Sequence, residues 1–265
     1  MTFVLYEKKG HIGYITLNRP ERMNAIGDEM RKELDQIDVE VGLDDDVWVT
    51  VVSANGRAFS TGIDIKEMSE HVKQGQARFA RLRGRTKQDM VHGDLLERPH
   101  WKPSVAAVHG YCLGRGLMVA LDFADIRICS PDAKFGLPEV KWNFAPIPPV
   151  NKVAARISPS VALWLALTAD DMTAEQALMW GLVIKIVPKE QLLQEATKIA
   201  EKLCGYGPAS LRATKRFFYQ TQDMTVHQAV RFSDLLFRQV EATSDASEGV
   251  KAFVEKRTPK WQAPK

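Results

Sequence analysis

Two glycine-bearing turns are the stretches of this chain whose residues could do chemistry. Each one follows an apolar run that predicts a buried strand, and each opens a helix: VVSANGRAFSTGIDIKEM (51–68) and VAAVHGYCLGRGLMVAL (105–121). The first N–H groups of a helix have no partner inside it and the helix dipole is positive there, so these turns favour negative charge. If the two turns face each other, they predict two N–H donors around one oxygen atom, an oxyanion hole.

Other kinds of catalytic centre find little support in the residue types. The six histidines show no ligand spacing, so no metal is expected, and no Ser–His–Asp arrangement is readable. His109, at a strand end, is interpreted as stabilising a turn through a hydrogen bond rather than as catalytic. The three cysteines are odd in number and lack metal spacing, which indicates reduced packing residues: Cys112, Cys129 and Cys204.

Composition places the chain among ordinary globular proteins. Of its 265 residues, 45% are hydrophobic and 26% charged, and the net charge of +3 is weak evidence for nucleic-acid binding. No apolar run approaches the length of a membrane span, and the N-terminal residues lack the apolar region of a signal peptide. We therefore expect a cytoplasmic protein that does not engage a membrane.

The elements that must position the turns alternate between strand and helix in the first part of the chain. Alternating residues around a Lys-Gly-His turn predict a hairpin, and from about Ser158 onward the pattern is almost purely helical, apart from a late strand at 182–188. This order predicts an α/β layer with a helical C-terminal region. Further expectations are a helix at 28–41, buried strands at 47–54, 104–110 and 125–130, charged helix at 69–98, a rigid proline-rich turn at 144–150, a capping box at Thr173, and helices near 189–204, 208–221, 224–243 and 246–257.

Five motifs occur in an order that resembles the crotonase, or enoyl-CoA hydratase/isomerase, superfamily. They are NRPERMNAI, GRAFSTGIDIKEM, AAVHGYCLGRG, ADIRICSPDAKFGLPEV and EGVKAFVEKRTPKW, and they span essentially the whole chain. The resemblance implies a spiral of ββα units over residues 1–195 and a helical C-terminal trimerisation region over 196–265, which also closes the site. It implies an acyl-CoA thioester as substrate, with coenzyme A part of that substrate and no separate cofactor, and a homotrimer or a dimer of trimers.

The resemblance assigns the oxyanion donors to the backbone N–H groups of Ile63 and Arg115. Related proteins commonly have glycine where Arg115 stands. This chain therefore carries a side chain beside the oxyanion hole that those proteins lack. The family's second glutamate corresponds to Glu139, the implied catalytic base, whereas its first corresponds to Met118. Asp122 is interpreted as a structural carboxylate in preference to a displaced second catalytic one.

The remaining site residues are also implied by the resemblance. Coenzyme A is expected to lie along two loops, largely through backbone contacts, and to be closed over by the C-terminal region; these positions are Arg22, Met23, Ala58, Ser60, Asp64, Ile65 and Lys256. The acyl pocket is expected to include Met118, Trp142 and Phe253. The side chains of Asp64 and Glu67 are interpreted as helix-capping or solvent-facing.

One retained glutamate favours a shift of a double bond over hydration. Hydration is easiest with two carboxylates, whereas a 1,3 proton shift needs one group that removes a proton and returns it elsewhere. The leading hypothesis is a Δ3,Δ2-enoyl-CoA isomerase-like enzyme. The alternatives are a hydratase or dehydratase using one glutamate on a cyclic or branched acyl-CoA, a ring-cleaving or β-diketone hydrolase, and a non-catalytic CoA- or RNA-binding relative.

The basic run RFARLRGRTK (78–87) has three interpretations. A solvated helix face is favoured, attraction of the CoA phosphates is second, and RNA binding is third, because the run offers no platform of interleaved aromatic side chains. Nucleic acid is therefore an unlikely partner.

Overall fold

The computed structural model describes residues 2–73 and 101–262, so the basic run at 78–87 and most of the predicted helix at 69–98 lie outside the described residues. Strands β1 (Val4–Lys9) and β2 (Ile12–Leu17) form the predicted antiparallel hairpin. The turn between them is short because Gly10 adopts a φ of +56°, the left-handed conformation that glycine tolerates. This hairpin forms one edge of the main sheet.

The central sheet supports both glycine turns. It continues through β3 (Val49–Ala54), β4 (Ser104–Val108) and β6 (Ile126–Cys129) to the two-residue β9 (Lys185–Ile186), and these pairings are parallel. Every residue of β4 is buried. A parallel sheet covered on both faces requires apolar side chains in both directions, which explains the continuous apolar runs in the sequence.

Helices cover the two faces of this sheet. The predicted helix α1 (Asp28–Leu43) packs on one face, and α7 (Lys189–Cys204) packs on the other. Side chains of β4 alternate between them: Val105 joins the core under α7, and Ala106 joins the core on the opposite face. The sheet is therefore fixed from both sides, and the loops at its ends have a firm support.

A second, smaller sheet lies beside the turns and was not predicted. It consists of β5 (Tyr111–Leu113), β7 (Lys134–Gly136) and β8 (Met172–Thr173), in which β5 and β7 are parallel and β7 and β8 are antiparallel. Helix α2 (Ile65–Lys73) follows the first glycine turn, and α3 (Arg115–Asp122) follows the second.

The C-terminal half is helical, as predicted, and contains α4 (Ile147–Ala154), α5 (Pro159–Thr168), α6 (Ala174–Met179), α7, α8 (Pro208–Gln220), α9 (Val226–Glu241) and α10 (Ala246–Glu255). The capping box at Thr173 is confirmed by reciprocal hydrogen bonds with Gln176. The proline-rich segment differs from the prediction, because a helix begins within it at Ile147; prolines are tolerated in a first turn, where no intrahelical N–H bond is needed. The proposed boundary between residues 195 and 196 falls inside the continuous helix α7.

Candidate active site

The two glycine turns meet at the carboxyl ends of β3 and β4. Gly62, in the turn after β3, has a φ of +93°, and a Cβ atom there would lie 2.9 Å from the carbonyl oxygen of Leu113 and 3.3 Å from the backbone nitrogen of Arg115. The Leu113 N–H in turn donates to the carbonyl of Ser60 at 3.0 Å. The close approach of two backbones requires glycine, and it brings the two predicted donor segments into direct contact.

Two of the backbone N–H groups in the first turn donate hydrogen bonds to other described residues, and one between them does not. That of Gly62 donates to Ser60 Oγ at 3.2 Å and that of Asp64 donates to the carbonyl of Ile26 at 3.1 Å. Within the described parts of the chain, the Ile63 N–H has no such acceptor. Arg115 is the first residue of α3, where the helix dipole is positive. The residue before Ile63 therefore lies against this positive end of α3.

Glu139 lies against the second turn. It belongs to a short 3₁₀ helix (Pro138–Trp142) that follows β7. A Cβ atom on Gly114 would lie 2.6 Å from Glu139 Oε1, so the carboxylate occupies the space that only glycine leaves open. Gly114 has φ +50° and ψ −117°, a backbone conformation that residues other than glycine rarely adopt. The carboxylate therefore adjoins the segment that carries the Arg115 N–H.

The environment of Glu139 favours its protonated form. Burial raises the pKa of this carboxyl above its usual range, and the opposing effect of a hydrogen bond from its own backbone N–H is smaller. Oε2 is buried and has no hydrogen-bond partner among the described residues. A buried carboxylate oxygen without a partner is costly, and such groups concentrate at sites that handle protons.

In the described part of the chain, a methionine occupies the helix position that the resemblance assigns to a second carboxylate. Met118, one turn along α3 from Gly114, is buried in the core, and its N–H donates to the Gly114 carbonyl at 3.1 Å. Asp122 lies one turn further and its Oδ1 is 2.5 Å from the Lys152 ammonium on α4. This ion pair ties α3 to α4, which agrees with the interpretation of Asp122 as a structural residue.

His109 has a structural environment. Its Nε2 lies 3.0 Å from the carbonyl oxygen of Gly56, so it links the end of β4 to the first turn. Desolvation lowers the pKa of this imidazole, with a further contribution from Lys189, which favours the neutral ring. The prediction of a turn-stabilising hydrogen bond is confirmed.

The residues predicted along coenzyme A are distributed over the loops that flank the first turn. Arg22 is exposed at the end of a 3₁₀ helix (Pro20–Arg22), and Met23 follows it with a φ of +50°. Ala58 and Ser60 are buried, whereas Ile65 is 56% exposed. Ser60 Oγ donates to the Asn24 carbonyl at 2.7 Å, and this hydrogen bond joins the two loops.

Asp64 differs from its neighbours because its side chain is committed to the protein. It is 5% exposed, its Oδ2 lies 2.8 Å from Arg19 Nη1, and its Oδ1 accepts from the N–H groups at the start of α2. The expected helix-capping role is thereby confirmed. Arg19, its partner, belongs to the motif NRPERMNAI, but no role for it was predicted from the sequence.

Two residues predicted for the acyl pocket, Trp142 and Phe253, are exposed, and so is Lys256, which was predicted with Phe253 to close the site. Trp142 ends the 3₁₀ helix that carries Glu139 and is 69% exposed, and Phe253 on α10 is 86% exposed. Lys256 ends α10 with a φ of +53°. None of the hydrogen bonds, ion pairs or ring contacts given for the described residues joins Phe253 or Lys256 to the two turns. The contacts of the described residues thus bring Glu139 against Gly114 and the first turn against the backbone nitrogen of Arg115.

The described residues offer little support for a metal site or a membrane span. In residues 2–73 and 101–262, no three histidine, cysteine, aspartate or glutamate side chains come together in a set that could hold a metal ion. Nor does any helix in this described part have the length and apolar character needed to cross a bilayer.

Fold and site together define an α/β protein in which two glycine turns and a half-buried carboxylate meet at the carboxyl edge of a mainly parallel sheet. A family model described as enoyl-CoA hydratase/isomerase matches residues 7–264. The chain belongs to this family and has the crotonase fold.

Curated relatives and solved structures agree with this assignment. A probable mitochondrial enoyl-CoA hydratase of Dictyostelium discoideum is 37% identical over 96% of this chain and 89% of its own length. The (E)-benzylidenesuccinyl-CoA hydratase of Thauera aromatica is 36% identical over 98% of both chains. The crystal structure of an enoyl-CoA hydratase from Mycobacterium tuberculosis H37Rv superposes with a TM-score of 0.87 at 31% identity, covering 99% of this chain and 100% of that one.

Proposed function

We propose that this protein acts on an acyl-CoA thioester by moving a double bond through an enolate. The thioester oxygen accepts hydrogen bonds from the backbone N–H groups of Ile63 and Arg115, and Glu139 transfers the proton. The observation that carries the proposal is the half-buried Glu139 carboxylate next to Gly114, whose Oε2 atom is buried and has no partner among the described residues. Negative charge that develops on the thioester oxygen would be stabilised by donors that are already in place.

A single carboxylate suffices for the balance of this reaction. Glu139 removes a proton from the α carbon of a 3-enoyl thioester, and the electron pair moves through a dienolate. The protonated Glu139 then returns the proton to the γ carbon, giving the 2-enoyl thioester and the original carboxylate. The raised pKa of Glu139 suits both halves of the cycle, since the group must accept a proton and later release it.

Hydration is the second candidate, because the similar curated proteins named above are hydratases. Addition of water to a 2-enoyl thioester would use the same donors, with Glu139 handling both water and proton. Among the described residues, the helix position that would carry a second carboxylate holds the apolar Met118, and Asp122, one turn further, is paired with Lys152. For that reason we favour the double-bond shift.

Coenzyme A and a trimeric assembly complete the proposal. The ligand lies along the loops that contain Met23 and Ile65, with the exposed Arg22 available to its phosphates. Apolar side chains on the outer surfaces of α9 and α10 would be covered by a second copy of the chain, since Phe237 is 67% exposed and Phe253 is 86% exposed. In such an assembly Phe253 and Lys256 would close the site of the same or a neighbouring subunit.

A substrate panel tests the proposed reaction. The purified protein is given 3-enoyl-CoA, trans-2-enoyl-CoA, a cyclic enoyl-CoA and a β-diketo-CoA, and products are separated by chromatography. We expect kcat/KM for conversion of 3-enoyl to 2-enoyl thioester to exceed that for hydration. Hydration without any double-bond shift would overturn the proposal in favour of a hydratase, and release of free coenzyme A would indicate a hydrolase. Binding without turnover would indicate a non-catalytic relative.

A further inference from the structure

A buried ion pair lies directly beside one of the two backbone donors. Arg19 Nη1 is 2.8 Å from Asp64 Oδ2, and the two side chains are 15% and 5% exposed. Asp64 follows Ile63 in the chain, whereas Arg19 comes from the distant loop after β2. A charge pair of this burial needs good geometry to offset the loss of hydration, so both partners are held firmly in place.

The pair spans a short backbone bridge around Ile63. The Ile26 N–H donates to the Gly62 carbonyl at 2.7 Å, and the Asp64 N–H donates to the Ile26 carbonyl at 3.1 Å. Arg19 Nη1 also donates to the carbonyl of Ala25 at 3.0 Å. The guanidinium is thereby bonded to the residue before Ile26 and to the residue after Ile63.

The same carboxylate fixes the helix that follows Ile63. Asp64 Oδ1 accepts from the N–H groups of Lys66 at 3.0 Å and Glu67 at 3.2 Å, which caps the start of α2. The peptide that precedes Ile63 is held by its bonded carbonyl, and the peptide that follows is held by its bonded N–H and by this cap. Rotation of the Ile63 N–H away from the second turn would break several of these contacts.

We propose that Arg19 and Asp64 are positioning residues that orient the Ile63 N–H toward the thioester oxygen. The proposal rests on the proposed function, in which this N–H is a donor. Neither side chain touches the substrate; both act through the backbone of residues 62–64. A displacement of about 1 Å at a reacting centre can cost about 100-fold in rate, so a small movement of this peptide should be measurable.

The test is the Asp64→Asn variant. Asparagine retains one side-chain oxygen that can cap α2, but it places an uncharged amide nitrogen, which is a donor, opposite the guanidinium of Arg19. The charge-assisted hydrogen bond between the two side chains is therefore lost. We expect kcat for the preferred thioester to fall by about 10- to 100-fold with little change in KM. We also expect the carbonyl stretch or ¹³C shift of a bound, labelled thioester to move toward its value in solution. An increase in KM at unchanged kcat would overturn the proposal and assign Asp64 to direct CoA binding.

Two further variants separate positioning from general destabilisation. Asp125→Asn is a matched control, because Asp125 pairs with the buried Lys215 at 2.9 Å and bonds to the N–H of Ser104, at the far end of β4. It should lower the melting temperature but leave kcat and the carbonyl signal unchanged. Arg19→Lys keeps the charge but cannot reach both Asp64 and Ala25 in the same way, and it should give a carbonyl signal between those of the parent and Asp64→Asn.

The proposed function and the positioning role of Arg19 and Asp64 can be disproved separately. If the parent protein does not perturb the carbonyl of a bound thioester, the oxyanion role of Ile63 is wrong and the proposed function falls with it. If the parent perturbs the carbonyl and both variants at the ion pair retain this signal and the parental kcat, the proposed function stands and the positioning role is wrong.

Discussion

At the residue scale, the proposed function depends on one carboxylate, that of Glu139. Glu139 is held against Gly114 and is largely withdrawn from solvent, and one of its oxygens has no partner among the described residues. A purely structural carboxylate would be expected to have its hydrogen bonds satisfied, as Asp64 does. The difference between these two acids separates a group available for proton transfer from one that supports the backbone.

The raised pKa of Glu139 predicts a displaced acid limb in the rate profile. The base form is needed for proton removal, and it is lost as the pH falls through the pKa of the folded protein. Because burial raises this pKa, kcat/KM should begin to fall at a pH above ~4.3, the usual value for glutamate. Initial rates measured between the acid limit of stability and neutral pH give the limb directly. A limb at or below the usual value would contradict the account.

The raised pKa of Glu139 also has a consequence for the stability of the folded protein. A carboxyl whose pKa is raised on folding stabilises the protein below the unfolded pKa, and this contribution is lost as the pH rises through the folded pKa. At neutral pH the charged Glu139 is therefore a cost, and Glu139→Gln should raise the melting temperature. The melting temperatures of parent and variant should converge in acid. A lower melting temperature for the variant at neutral pH would indicate that the carboxylate supports the fold.

At the element scale, the turn between β5 and α3 places a donor and a base within reach of each other. Its conformation at Gly114 has a positive φ, and the space above its Cα is filled by Glu139 Oε1. The turn is held by the small sheet, since the Gly114 N–H donates to the Gly136 carbonyl at 2.9 Å. Thus the three-residue strands β5 and β7 hold the turn at Gly114 more directly than the longer strands of the central sheet do.

This arrangement predicts different effects for two glycine substitutions. Gly114→Ala puts a Cβ atom 2.6 Å from Glu139 Oε1 and strains a positive φ, so it should lower kcat by about 100-fold and destabilise by about 1–3 kcal/mol. Gly181→Ala is the matched control, because Gly181 also has a positive φ, +79°, but a Cβ atom there meets nothing within 4 Å. It should lose stability and keep activity. Equal activity of the two variants would show that Gly114 does not position Glu139.

At the scale of the whole molecule, the elements with long hydrophobic patterns were predictable from the sequence, whereas the very short strands were not. The continuous apolar runs predicted β3, β4 and β6, and helical periodicity predicted α1 and α7, because burial on one or both faces leaves a periodic trace. The strands β5 and β7 are three residues long and leave none.

The site was predictable in the same uneven way. The two turns were identified from their glycines, and Glu139 from its motif. The contact of Glu139 with Gly114 and the ion pair between Arg19 and Asp64 join residues far apart in the chain, and only the folded backbone brings them together. Sequence spacing carries no information about such contacts.

The proposed trimeric assembly is tested at the scale of the whole molecule. If α9 and α10 are covered by other copies of the chain, the mass in solution should be about three or six times that of the 29.8 kDa chain. Phe237→Glu places a charge on this surface and should yield a smaller species with lower activity, because Phe253 and Lys256 would no longer close the site. Light scattering coupled to size-exclusion chromatography gives the mass. A fully active monomer would contradict the assembly.

The most direct test of the central claim is the turnover of 3-enoyl-CoA by Glu139→Gln. Glutamine preserves the size of the side chain but cannot take a proton, so the account predicts a loss of about 10²- to 10⁴-fold in kcat. KM and the circular dichroism spectrum should remain close to those of the parent, since the donors at Ile63 and Arg115 are untouched. Turnover by the variant at the parental rate would show that Glu139 does not transfer the proton.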